Sequence, residues 1–165
     1  MCWSLADPAA TAELLRRVVG QNLEAVTEAR YWREGVRDGD AESLLHFWLH
    51  FEGNPPLMVH GVGEHLSLSF SEPYESYDME DQGETRVGPA TAPDALASLP
   101  GQRLLDAALI QRHTPMPSVG GVLMRCERLD FVVASVGDEW VLTQGAIPPV
   151  LRSHLVSGVR VSQAN

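Results

Sequence analysis

A chain of 165 residues with 44% hydrophobic and 21% charged side chains can bury a core without help from disulfides or metal, and it is too apolar to stay disordered. Its net charge of −10 excludes non-specific binding to nucleic acid or an anionic membrane, since both need positive surface. Two cysteines, Cys2 and Cys126, are too few for a disulfide framework.

The start of the chain has no basic stretch leading into an apolar run, and no apolar segment approaches the ~20 residues that span a bilayer. A cytoplasmic protein is expected, with no membrane and no nucleic-acid partner. The first element reads as a helix. Asp7 can cap it, Pro8 suits its first turn, Leu14, Leu15, Val18 and Val19 form one stripe, and Gly20 stops it. From Leu44 to Phe51, Leu45, Phe47, Leu49 and Phe51 alternate with His46, Trp48, His50 and Glu52, which reads as a strand. Asn54-Pro55-Pro56 breaks it. Residues 57–62 and 65–70 then read as a hairpin around Gly63-Glu64, where a leading glycine suits a type II′ turn.

The second half echoes this plan. Gly101-Gln102-Arg103-Leu104 repeats Gly20-Gln21-Asn22-Leu23 after a short capped segment, Asp94 to Leu99. Residues 131–138 resemble 57–64 in the same way. The expected architecture is therefore an α+β fold forming one compact domain over residues 1–165. Two similar helix-plus-antiparallel-meander halves (an internal repeat of 7–73 and 94–148) would pack as one pseudo-symmetric unit. Residues 72–93, rich in acids, glycine and proline, read as a surface loop joining them. Pro148-Pro149 suggests a helix start, and 159–161 a last short strand.

Two constellations carry chemistry. The stretch from Glu72 to Glu84 holds six carboxylates, two tyrosines and a methionine with no basic residue. Dense carboxylates steer a basic partner, and tyrosine provides contact area at low entropic cost. Tyr74, Glu75, Tyr77, Asp78, Glu80 and Asp81 are the candidate partner-binding residues, although a solvated loop would have the same composition. The spacing of Asp78, Glu80, Asp81 and Glu84 does not match an EF-hand.

His46, His50 and Glu52 share one strand face, and His60 and His65 lie on neighbouring strands. Imidazoles and a carboxylate converging on one point could hold zinc with an open position for water. Ordinary hydrogen bonds beside Trp48 are the other reading. Cys126 reads as a buried strand cysteine, and no nucleophile elbow or phosphate loop is present: Gly61-Val62-Gly63 joins two strands instead of opening a helix. No cofactor is implied.

In size, charge and lack of catalytic motifs, the chain resembles the small acidic antitoxin and immunity proteins that bacteria keep beside secreted toxins. That resemblance implies a non-enzymatic binder engaging a basic protein through an acidic surface. Two alternatives stand beside it. One is a metal-dependent hydrolase or metal-binding protein built on the histidine strand. The other is a structural module pairing with a second copy as a homodimer.

Overall fold

The computed structural model describes residues 7–112, 118–151 and 154–156. The elements in chain order begin with helix α1 (Pro8–Arg16) and strand β1 (Asn22–Trp32). A single helical turn, α2 (Asp40–Ser43), leads into β2 (Leu44–Phe51), β3 (Leu57–Val62) and β4 (His65–Phe70). A short hairpin of β5 (Tyr77–Asp78) and β6 (Glu84–Pro89) follows. The chain continues through β7 (Gln102–Arg112), β8 (Val119–Cys126), β9 (Asp130–Val136), β10 (Glu139–Gln144) and β11 (His154–Val156).

The fold class expected from sequence is corrected. About 52% of the chain is strand and 16% helical, and the strands form an antiparallel sheet in the order β10-β9-β8-β7-β1-β2-β3-β4. This is a mainly-β protein and not an α+β pair of helix-plus-meander halves packed as a pseudo-symmetric unit. The capped segment at Asp94 makes only a 3-10 turn, Ala95–Ser98. Its cap fails for a plain reason: Arg37 takes both oxygens of the Asp94 carboxylate, at 2.8 and 2.7 Å. Near the end, Pro149–Leu151 is likewise a 3-10 turn, and a strand forms at 154–156. The expected strand at 159–161 lies outside the described residues.

Two four-stranded meanders, β1–β4 and β7–β10, are joined where Asn22 and Leu23 pair with Arg103 and Gln102. Gly20 N–H donates to Leu104 O, and Gly101 N–H donates to Leu23 O, both at 2.7 Å. Both glycines sit at φ +88°, a conformation open to glycine and costly for other residues. The sheet then folds over, so that β4 packs on β8 and β9. The main core fills the space between, with Phe47, Leu49, Leu57 and Leu66 facing Val122, Met124, Phe131 and Trp140. At the hairpin tips the two meanders interlock. Ser135 Oγ donates to Gly63 O at 2.8 Å, and a Cβ on Gly61 would lie 2.9 Å from that same hydroxyl. A smaller cluster of Ile110, Val132, Ala134 and Leu151 lies apart from the main core, packed against Leu123, Val136, Val141 and Ile147.

The expected hairpin at Gly63-Glu64 forms, with Gly63 at φ +59°. Strand β1 is the element that sequence periodicity did not show. A register shift between Leu23 and Ala25 turns Leu23 and Val26 to the same core, so the apolar positions lose their period of two. Beyond Val26 the inward positions are charged: Glu28 is 4% exposed and Arg30 5%.

Arg30 is saturated. Its Nε and Nη2 donate to the two oxygens of Glu28 at 2.9 and 2.7 Å, and Nη2 also reaches Asp40 Oδ1 at 2.6 Å. Nη1 donates to Asp40 O and Ser43 Oγ at 2.6 and 2.9 Å. Asp94 closes the cluster 3.6 Å away. Burial alone would disfavour the guanidinium charge, but the bonds and charges of Glu28 and Asp40 outweigh it, and the Arg30 pKa is raised. The hydrogen bond from Arg37 holds the Asp94 carboxyl below its ordinary range despite burial.

Removing one partner from such a cluster strands a buried charge. Arg30→Met is expected to cost about 3–5 kcal/mol in urea unfolding, with the Glu28→Leu/Arg30→Met pair recovering part of it. A loss below about 1 kcal/mol in the single variant would show that the cluster is not desolvated in solution.

Candidate functional site

The acidic segment and the histidine strand, separate in the sequence, meet on one face of the first meander. Register decides this: His46 pairs with His60 and Trp48 with Met58 across β2 and β3, so their side chains share the side away from the core. After β4 the chain turns back over that side and lays Tyr74 on it. The Tyr74 ring sits edge-on to His46 at 5.4 Å and to Trp48 at 5.3 Å. His46 in turn lies 5.1 Å from Trp48 and 5.5 Å from His60. Edge-to-face pairs of this kind contribute about 0.5–1.5 kcal/mol each beyond burial.

The Tyr74 hydroxyl contacts His46 Nε2 at 2.5 Å. Burial pushes the His46 pKa down to about 4, with the nearby charge of His60 adding to the effect. The His60 pKa is lowered by burial as well. Burial, followed by Tyr77, raises the Tyr74 pKa to about 12. At neutral pH the ring is therefore uncharged and the phenol protonated, so the phenol can donate to Nε2. Trp48 Nε1 and His60 Nδ1 are buried and find no partner among the described residues.

The five residues considered for metal do not converge. His50 is held by Thr27 at 2.8 Å, and Glu52 accepts from Asn22 Nδ2 at 3.2 Å. His65 opens β4 at the hairpin tip, opposite Val62. Only His46 and His60 are in contact, and His46 spends Nε2 on Tyr74. Among the described residues, no group of three or more His, Cys, Asp or Glu side chains is placed to hold a metal ion. Cys126 is buried, and its thiol pKa is pushed up to about 11 by burial and by Asp130 and Glu127. That holds the sulfur protonated and poorly nucleophilic.

Residues 72–93, expected as a loop, carry a built hairpin. Tyr77 and Asp78 pair with Thr85 and Glu84, and β6 pairs along Thr27–Trp32 of β1. Three side-chain ties brace it. Val87 N–H donates to Ser76 Oγ at 2.7 Å, Asp78 Oδ1 accepts from Glu80 N–H at 2.9 Å, and the Tyr31 hydroxyl donates to Gln82 O at 2.5 Å. Glu75, Tyr77, Asp78, Glu80 and Asp81 all remain exposed, Tyr77 by 48%. Among the described residues none of those four carboxylates forms an ion pair. The ridge is thus an uncompensated negative surface on a fixed backbone, anchored underneath by Tyr74. Sequence reasoning named these residues but missed Tyr31 and Ser76; the only available signal was the aromatic run ending β1.

The histidine pKa shifts set a pH dependence. A histidine whose folded pKa lies below its unfolded value of about 6.5 stabilises the fold above that value. The contribution is lost as pH falls from about 6.5 through about 4, where the folded ring of His46 takes its proton. Urea midpoints are expected to fall over that range, and His46→Phe is expected to flatten the decline. An unchanged slope in that variant would contradict the assignment. Tyr74→Phe, which keeps the ring and removes the hydroxyl, is expected to cost about 0.5–1.5 kcal/mol at pH 7.

No helix among the described residues is long and apolar enough to cross a membrane. The chain matches no protein-family model, no curated protein and no solved structure, so any functional reading of it rests on this geometry alone.

Proposed function

We propose that this chain is a non-enzymatic binding protein that engages a basic protein partner through the ridge Tyr74–Asp81, in the manner of an immunity or antitoxin protein. The observation that carries the reading is the rigid base beneath the acids. A flexible acidic loop attracts cations but pays ordering entropy on binding, whereas a pre-ordered ridge does not. Here the exposed carboxylates of Glu75, Asp78, Glu80 and Asp81 ride on a hairpin paired to β1. Tyr77 stands exposed among them, and Tyr74 fixes the approach to the hairpin. Such a surface accelerates encounter with a basic partner and offers a ring for the close contact that follows.

The test is reversal of charge at four positions, Glu75→Arg, Asp78→Arg, Glu80→Arg and Asp81→Arg, in one variant. The wild-type chain is expected to retain a basic protein from lysate of its source cells at low salt and release it as salt rises. With the recovered partner purified, the variant is expected to associate at least about ten-fold more slowly at low ionic strength. Equal association rates for the two chains would remove the ridge from the interface.

A further inference from the structure

On the core-facing side of β1 and β6, opposite the side that carries Tyr31 and Tyr77, the sheet end opens into a cavity of about 350 Å³. Paired residues on adjacent strands point to one side. The pairs Trp32–Glu84, Arg30–Arg86 and Glu28–Gly88 therefore place Trp32, Arg86 and Gly88 along a single wall. The opposite wall comes from Thr91–Asp94, with Pro93 and Arg37 facing in. Its size falls within the range of small-molecule sites, and its surface combines an apolar body with a few placed charges.

The charges are arranged in a particular way. Glu28 and Asp94 are consumed by Arg30 and Arg37 through paired bonds, so neither carboxylate presents a free oxygen pair to the cavity. Arg30 is itself saturated. Arg37 spends two donors on Asp94, and Arg86 spends two on Glu84 Oε1, at 2.9 and 2.7 Å. A guanidinium carries five N–H groups, so three on each of Arg37 and Arg86 have no partner among the described residues. The Arg86 guanidinium carbon also lies 3.9 Å above the Trp32 ring centroid, which places the cation against the indole on the cavity wall. A planar guanidinium with unused donors, beside an indole and prolines, is suited to a carboxylate or phosphate borne on a flat apolar body.

We propose that this cavity binds a small organic anion, a carboxylate or phosphate monoester with an aromatic body, gripped by Arg37 and Arg86 and lying along Trp32, Pro89 and Pro93. No residue of the acidic ridge is in its lining. The site gives the protein a ligand of the opposite charge class from the one that its overall −10 attracts. Three arginines and two carboxylates line the cavity, and the further partners of Arg30 and Arg86, Asp40 and Glu84, lie outside the lining.

Gly88 provides a clean test. It lines the cavity, and a Cβ added there meets nothing within 4 Å, so Gly88→Leu fills the space without touching the wall at its base. Arg86→Gln removes an exposed cation without opening a buried site. Phenyl phosphate, benzoate, inorganic phosphate and benzyl alcohol are titrated into the full chain by calorimetry, with amide chemical shifts followed in parallel. The expected result is saturable binding of phenyl phosphate or benzoate below about 1 mM, with shifts centred on residues 86–94. Inorganic phosphate and benzyl alcohol are expected to bind at least ten-fold more weakly. Both variants are expected to keep the wild-type melting transition and lose at least ten-fold in affinity. Three outcomes would overturn the proposal. They are no saturation by either aromatic anion at 10 mM, inorganic phosphate binding as tightly as phenyl phosphate, and binding unchanged in both Gly88→Leu and Arg86→Gln.

Discussion

Because Arg30 enters the protein on the core-facing side of β1, everything near it has to answer a charge held out of water. Glu28, two residues back on the same strand, provides the paired carboxylate, but one carboxylate leaves donors of the guanidinium unused. The turn α2 takes the rest through Asp40 and Ser43. Asp40 then uses its second oxygen to accept Ala95 N–H at 2.8 Å, which fixes the start of the 3-10 turn ahead of β7. Asp94 is shared with Arg37. One buried side chain thus ties β1, the entry to β2 and the segment that leads into β7. Ion clusters of this kind add little net stability compared with an apolar substitute. Their effect is on geometry, since each donor has one place to go.

That same strand explains which parts of the architecture the sequence could and could not disclose. The β3–β4 hairpin was readable because Leu66, Leu68 and Phe70 alternate cleanly and Gly63 heads a two-residue turn. Asp7 is where a cap was expected and accepts Ala10 N–H at 2.9 Å, so the first helix was readable too. Strands β1 and β7 were not, although each is 11 residues long. Both carry a register shift just after their first leucine, between Leu23 and Ala25 and between Leu104 and Asp106. A bulge swaps the inward set from one parity to the other, and a period-two search then sees noise. In β1 the inward positions turn charged as well. A pattern that equates polar with exposed reads Glu28 and Arg30 as surface, and they are the most buried charged residues among those described.

The candidate surfaces were legible as composition and illegible as arrangement. Six carboxylates and two tyrosines between Glu72 and Glu84 are plain in the sequence, as are the histidines of β2 and β3. Nothing in either stretch says that Tyr74 folds onto His46, because the contact depends on how the chain reverses after β4. Its consequence is chemical as well as structural. Covered by Tyr74, the His46 ring loses its ordinary basicity and serves as an acceptor, which a metal ligand with an open coordination position could not do while the phenol occupies Nε2. His46 supports the acidic ridge from below through Tyr74.

Strand β6 serves both surfaces at once. Thr85 pairs with Tyr77 and Val87 N–H bonds Ser76, while Arg86 and Gly88 line the cavity with Trp32. One edge of β6 is fully paired with β1, but the other meets only the two residues of β5. A strand held this way has the geometry of the sheet without the burial of its centre, since Thr85 alone among its six residues is buried. Binding elements are drawn from the less stable end of a fold, and here that end is a hairpin bolted along one side to the most constrained strand of the protein. The rigidity that both surfaces need comes from β1 and its buried arginine, while exposure comes from the free edge.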